Sequence, residues 1–96
     1  MKVVVIHELN HGFLAVALNY YNAVKWLIDE GWLNAYDNVY IDGEWKEVKD
    51  VFGEDWKDLM LNEWDLNRFN EVFDELFQLQ SVAVKGGEYL FNYGSE

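Results

Sequence analysis

His7-Glu8-Leu9-Asn10-His11 is the stretch whose residue types and spacing could do chemistry, because it matches the H-E-x-x-H pattern of zinc hydrolases. In those enzymes the pattern lies on a helix. The two histidines then face one metal, and the glutamate between them activates the bound water. Zinc lowers the pKa of that water to about 7. The chemistry needs a helical turn over residues 7–11, a third ligand and a cleft. Glu30, nineteen residues past His11, is a conceivable third ligand.

The flanking residues oppose a helix. Val3, Val4, Val5 and Ile6 are four consecutive β-branched residues, which favour a strand. Gly12 follows the second histidine directly and ends a helix more readily than it continues one. The motif also begins at residue 7, with no preceding chain to build a substrate-binding sheet. The expected local structure is a β-hairpin, with residues 2–8 and 13–18 as strands and 9–12 as the turn. His7 is then a strand residue and His11 a loop residue, with no metal and no cofactor expected. A minimal zinc hydrolase using His7, His11 and Glu8 stays as the competing reading.

Other catalytic classes find little material. There is no Cys and no Thr, and the serines are Ser81, in an expected strand, and Ser95, near the end. Arg68 is the only arginine, and no P-loop or dinucleotide fingerprint occurs. No Asp-rich loop has calcium-site spacing, and Asp42-Gly43-Glu44 is better explained as a hairpin turn.

The elements that must position any site follow from periodicity. Asn19 can cap a helix over 20–30, where Tyr20, Ala23, Val24, Leu27 and Ile28 fall on one face. Gly31 closes it, and Trp32 and Leu33 fold back onto the apolar face. Residues 39–48 read as a second hairpin around Asp42-Gly43, with Tyr40 and Trp45 placed to pair across it. Residues 49–64 read as helical with a break near Gly53, and Trp56, Leu59, Met60 and Glu63 share a face. Asp65 can cap a helix over 66–76, striped by Phe69, Val72, Phe73 and Leu76. Glu71, Asp74 and Glu75 then form its acidic outer face. A strand over 78–85, a Gly86-Gly87 turn and a strand over 88–93 complete the order ββα, ββ, αα, ββ. The expected fold class is α+β: one domain over 1–96, a mostly antiparallel sheet of hairpins with about three helices packed on it.

The net charge of −11 weighs against direct nucleic-acid or anionic-membrane binding, both of which use Lys and Arg. The acid lies in the middle and late chain: residues 1–32 carry two bases and three acids, residues 33–64 three bases and nine acids, and residues 65–96 two bases and six acids. A solubilising surface is the plain explanation, and a surface that meets a basic partner is the sharper one. The lack of cysteine fits a reducing cytoplasm, and no apolar run approaches the ~18 residues of a membrane span.

Five tryptophans and six tyrosines exceed what a small core hides. Some are expected at a core rim and some as anchors of an interface. The stretch DVFGEDWKDLMLNEW interleaves acid and aromatics, as a surface gripping a basic, partly apolar groove would. The expected partner-binding residues are Glu54, Asp55, Asp58, Glu71, Asp74 and Glu75, with Trp56 as anchor, inside an acidic region spanning 37–75.

The ββα opening, with Asn-His-Gly at its turn and N-Y-Y-N-A-V-K-W-L-I after it, resembles small acidic proteins of phages that infect low-GC Gram-positive bacteria. The resemblance covers about the first third of the chain and carries no catalytic motif. It implies an anti-CRISPR or anti-restriction type of inhibitor. Some of that class mimic DNA and occupy the nucleic-acid-binding surface of a host protein such as a CRISPR nuclease. The expected setting is the host cytoplasm. A structural or assembly module, such as a homodimer joined at an exposed hairpin edge, is the remaining alternative.

Overall fold

The computed structural model describes residues 1–84. Strand β1 (Lys2–Glu8) is the centre of a three-stranded antiparallel sheet in the order β2-β1-β5, with β2 spanning Gly12–Ala17 and β5 spanning Phe77–Ala83. Its β-branched run suits a strand bonded on both sides. Val4 and Ile6 project into the core at 5% and 0% exposure. Burying each contributes roughly 1.5–3 kcal/mol. The register slips between Ile6 and His7, so β1 and β2 are joined by a bulge.

Helix α1 (Tyr20–Asp29) packs on this sheet through Ala23, Val24 and Leu27. Its start is capped by Asn19, whose Oδ1 accepts from Asn22 N at 2.8 Å. Its end is a Schellman turn. Gly31 takes φ 82°, its N–H donates to Ile28 O at 3.1 Å, and Trp32 N–H donates to Leu27 O at 2.9 Å. This reversal carries Leu33 into the core.

Strands β3 (Asn38–Ile41) and β4 (Glu44–Glu47) form a separate antiparallel hairpin. Asp42 at φ 54° and Gly43 at φ 82° make the two-residue turn, so both central residues adopt the positive φ that a type I′ turn demands. The hairpin's base is tied down by Val48 N–H to Asp37 O and Lys49 N–H to Ala35 O, each 2.9 Å.

The expected helix over 49–64 resolves into three pieces. These are α2 (Val48–Phe52), α3 (Trp56–Asp58) and a π-helical segment (Leu59–Glu63), with Gly53 at φ 85° breaking the first from the second. Tyr20 donates its hydroxyl to Met60 O at 2.7 Å and ties α1 to the π segment. Burial, with the nearby Asp65 charge, holds that phenol well above its ordinary value.

Helix α4 (Leu66–Val72) is capped by Asp65, which accepts from Arg68 N at 2.9 Å. It ends four residues before the expected Leu76. Phe73 still accepts from Leu76 N and Phe77 N, so the chain keeps a helix-like spacing of aromatics through a turn. Phe69, Phe73 and Phe77 therefore stack in one cluster. The Gly86-Gly87 turn and the strand over 88–93 lie outside the described residues.

Asn70 on α4 holds β5 in place. Its Nδ2 donates to Leu79 O and its Oδ1 accepts from Leu79 N, both at 2.8 Å. The side-chain amide thus stands where a neighbouring strand's peptide would. Leaving both Leu79 groups unsatisfied costs about 1–3 kcal/mol. Asn70→Leu is expected to destabilise the fold by that amount in urea denaturation. A change below about 0.5 kcal/mol would show that water replaces the amide freely.

Candidate functional site

The H-E-x-x-H residues occupy a strand and a turn. His7 and Glu8 are consecutive in β1, so their side chains project to opposite faces of the sheet. His7 lies edge-on to Phe13, with ring centroids 6.3 Å apart. Glu8 closes the turn: its Oε1 accepts from Asn10 N at 2.8 Å and His11 N at 2.7 Å, and lies 2.8 Å from His11 Nδ1. The His11 contact, then the two backbone N–H groups, hold the carboxyl below its ordinary value against the opposing effect of partial burial. His11 also packs edge-on against Trp32 at 5.0 Å, joining the hairpin loop to the segment after α1.

One histidine therefore serves the turn while the other projects from the opposite side of the sheet from Glu8. The helix that would bring both onto one metal is absent, and the glutamate that would activate water is bonded to the turn. Glu30 is the C-cap position of α1. Among the described residues no group of three His, Cys, Asp or Glu side chains could hold a metal ion.

The expected partner-binding acids are all exposed, but they fall in two groups. Glu54, Asp55 and Asp58 lie on the link after Gly53 and on α3. Glu71 lies on α4, while Asp74 and Glu75 lie in the turn before β5 rather than on a helix face. No hydrogen bond or ion pair among the described residues joins the two groups. Asp74 instead lines a shallow cleft with His7, Glu8, Leu9 and Gln78.

Trp56 is not an exposed anchor. It is 5% exposed and belongs to the core cluster with Met60. Its spacing from Leu59 and Met60 marked that inward face. The exposed tryptophan is Trp45, at 56%, beside Tyr40 at 51%. The two rings meet across β3 and β4 with centroids 5.2 Å apart and planes at 65°. The alternation that marked a hairpin also placed this pair on one face, but it could not say which face the core would take.

The bases near the acids are committed to their own chain. Lys46 lies 3.8 Å from Glu44, Lys49 3.5 Å from Glu54, and Arg68 3.5 Å from Glu71. Lys57 sits over the Trp56 ring at 5.6 Å. These exposed pairs are individually weak. Together they use every Lys and Arg between residues 33 and 84.

These features define an acidic α+β chain with an exposed aromatic hairpin and a turn-bound histidine motif. Comparison with protein-family models, curated proteins and solved structures found no match. No helix among the described residues is long and apolar enough to cross a membrane.

The Glu8 contacts carry a pH signature. A carboxyl held below its unfolded value of about 4.3 stabilises the fold above that pH, and the contribution is lost as pH falls through the folded value. Glu8→Gln is expected to be less stable than the parent at pH 7, with the gap narrowing at acid pH, once the folded-state carboxyl is protonated. Urea denaturation at pH 7 and at acid pH measures it. An equal gap at both would mean that the ionised form of Glu8 is not what holds the turn.

Proposed function

We propose that the chain is a non-enzymatic acidic binding protein of the phage-inhibitor type, which occupies the basic nucleic-acid-binding surface of a host protein such as a CRISPR nuclease. The observation that carries this reading is the uncompensated acid between residues 37 and 75. Its carboxylates are mostly exposed, and every base among them is already engaged by a neighbouring acid or indole. A basic groove that holds phosphates would find there thirteen carboxylates against four cations, each of which already has a neighbouring acid or indole. Such charge accelerates encounter and makes association strongly dependent on salt.

The test uses purified Cas9 loaded with guide RNA and a fluorescent target duplex. Added protein is expected to displace the duplex, less effectively as salt rises from 50 to about 200 mM. The triple substitution Glu54→Lys, Asp55→Lys, Asp58→Lys is expected to weaken displacement at least tenfold while leaving the circular dichroism spectrum unchanged. Duplex binding that ignores an excess of the parent protein would reject that nuclease as target. Equal potency of parent and triple variant would reject these acids as the contact.

A further inference from the structure

We infer that the Tyr40–Trp45 face of the β3–β4 hairpin is a docking ledge for arginine side chains of a basic protein segment. The inference rests on the acidic-binding reading above and names the surface and side chain through which it acts.

Three observations carry it. The first is the exposure of a large aromatic pair on a rigid support. Tyr40 and Trp45 are directly opposed in register and more than half exposed, and the turn beside them is fixed by Asp42 and Gly43 at positive φ. Aromatic rings held in this way lose little conformational freedom on binding. The second is the sorting of charge between the two faces. Alternation puts Asn38, Tyr40, Trp45 and Glu47 on one side of the hairpin, and Val39, Ile41, Glu44 and Lys46 on the other. Lys46, the only base of the hairpin, is thus on the opposite face and paired there with Glu44. The third is Glu47. It stands at the N-cap of α2 without capping it, and its carboxylate makes no ion pair or hydrogen bond among the described residues.

An exposed indole and phenol with an uncommitted carboxylate on the same face match a guanidinium better than an ammonium. The planar cation can lie on the ring while its N–H fork reaches the acid. A purely apolar partner would strand Glu47 and the nearby Asp42. A second copy of this chain would bring a like-charged surface against it. The occupant is therefore an arginine-bearing basic segment.

The test is a titration of the 15N-labelled full chain with the peptide Gly-Arg-Gly-Arg-Gly-Arg-Gly and with its lysine counterpart. The arginine peptide is expected to bind about threefold tighter, the scale of an exposed cation–π contact. It should also shift the Trp45 indole N–H resonance, assigned through Trp45→Phe. Trp45→Leu, which keeps an apolar strand residue, should abolish the arginine preference and leave the weaker charge-driven binding. If that variant loses the dispersed spectrum of the parent, Glu47→Gln decides, and its preference should fall below twofold. Equal binding of the two peptides to the parent, with the Trp45 resonance unmoved, would overturn the ledge while leaving the acidic-binding reading in place. Binding of neither peptide would overturn both.

Discussion

Strand β1 is hydrogen-bonded on both sides, and β2, β5 and α1 take their positions from it. β2 returns along one edge, β5 along the other, and α1 lies across the face that presents Val4 and Ile6. This constraint decides the chemistry of residues 7–11. A strand sends His7 and Glu8 to opposite faces, where a helix would have gathered His7 and His11 onto one side. Glu8, the residue that a zinc hydrolase would use as base, is instead the acceptor that closes the turn.

Two side chains extend this order beyond the backbone ladders. Asn70 supplies the outer edge of β5 with an amide, so α4 is fastened to the sheet by hydrogen bonds as well as by Phe69 and Phe73. Tyr20 reaches from α1 to the π-helical segment, and His11 reaches from the hairpin loop to Trp32. The core is thereby closed on one face of the sheet, and the acids are left outside. No charged or polar residue is buried among those described.

Much of this was legible in local sequence. The caps at Asn19 and Asp65, the glycine stop at Gly31 and the Asp42-Gly43 turn each rest on the backbone preference of a single residue type, and each formed as expected. The β-branched run before His7 outweighed a full five-residue motif match, because a strand preference spread over four residues constrains geometry more than the motif does. Less legible were the features that depend on distant partners. The pairing of β5 with β1 joins residues from Glu8 and Phe77 to Lys2 and Ala83, about 70 to 80 positions apart, and Asn70 looks like any polar residue on a helix. The stripe of Phe69, Val72, Phe73 and Leu76 suggested a helix running to Leu76, yet α4 ends at Val72 and a turn carries the chain on from there. Trp56 shows the same limit from the other side. Its place beside acids suggested exposure, but its spacing from Met60 set its burial.

The contrast between turn and metal helix is the centre of the account, and metal content tests it most directly. Elemental mass spectrometry would be made on untagged protein purified without chelator, beside a His7→Ala/His11→Ala double variant. The strand-and-turn geometry predicts zinc far below one equivalent per chain in both proteins. Close to one zinc per chain in the parent, lost in the double variant, would contradict it.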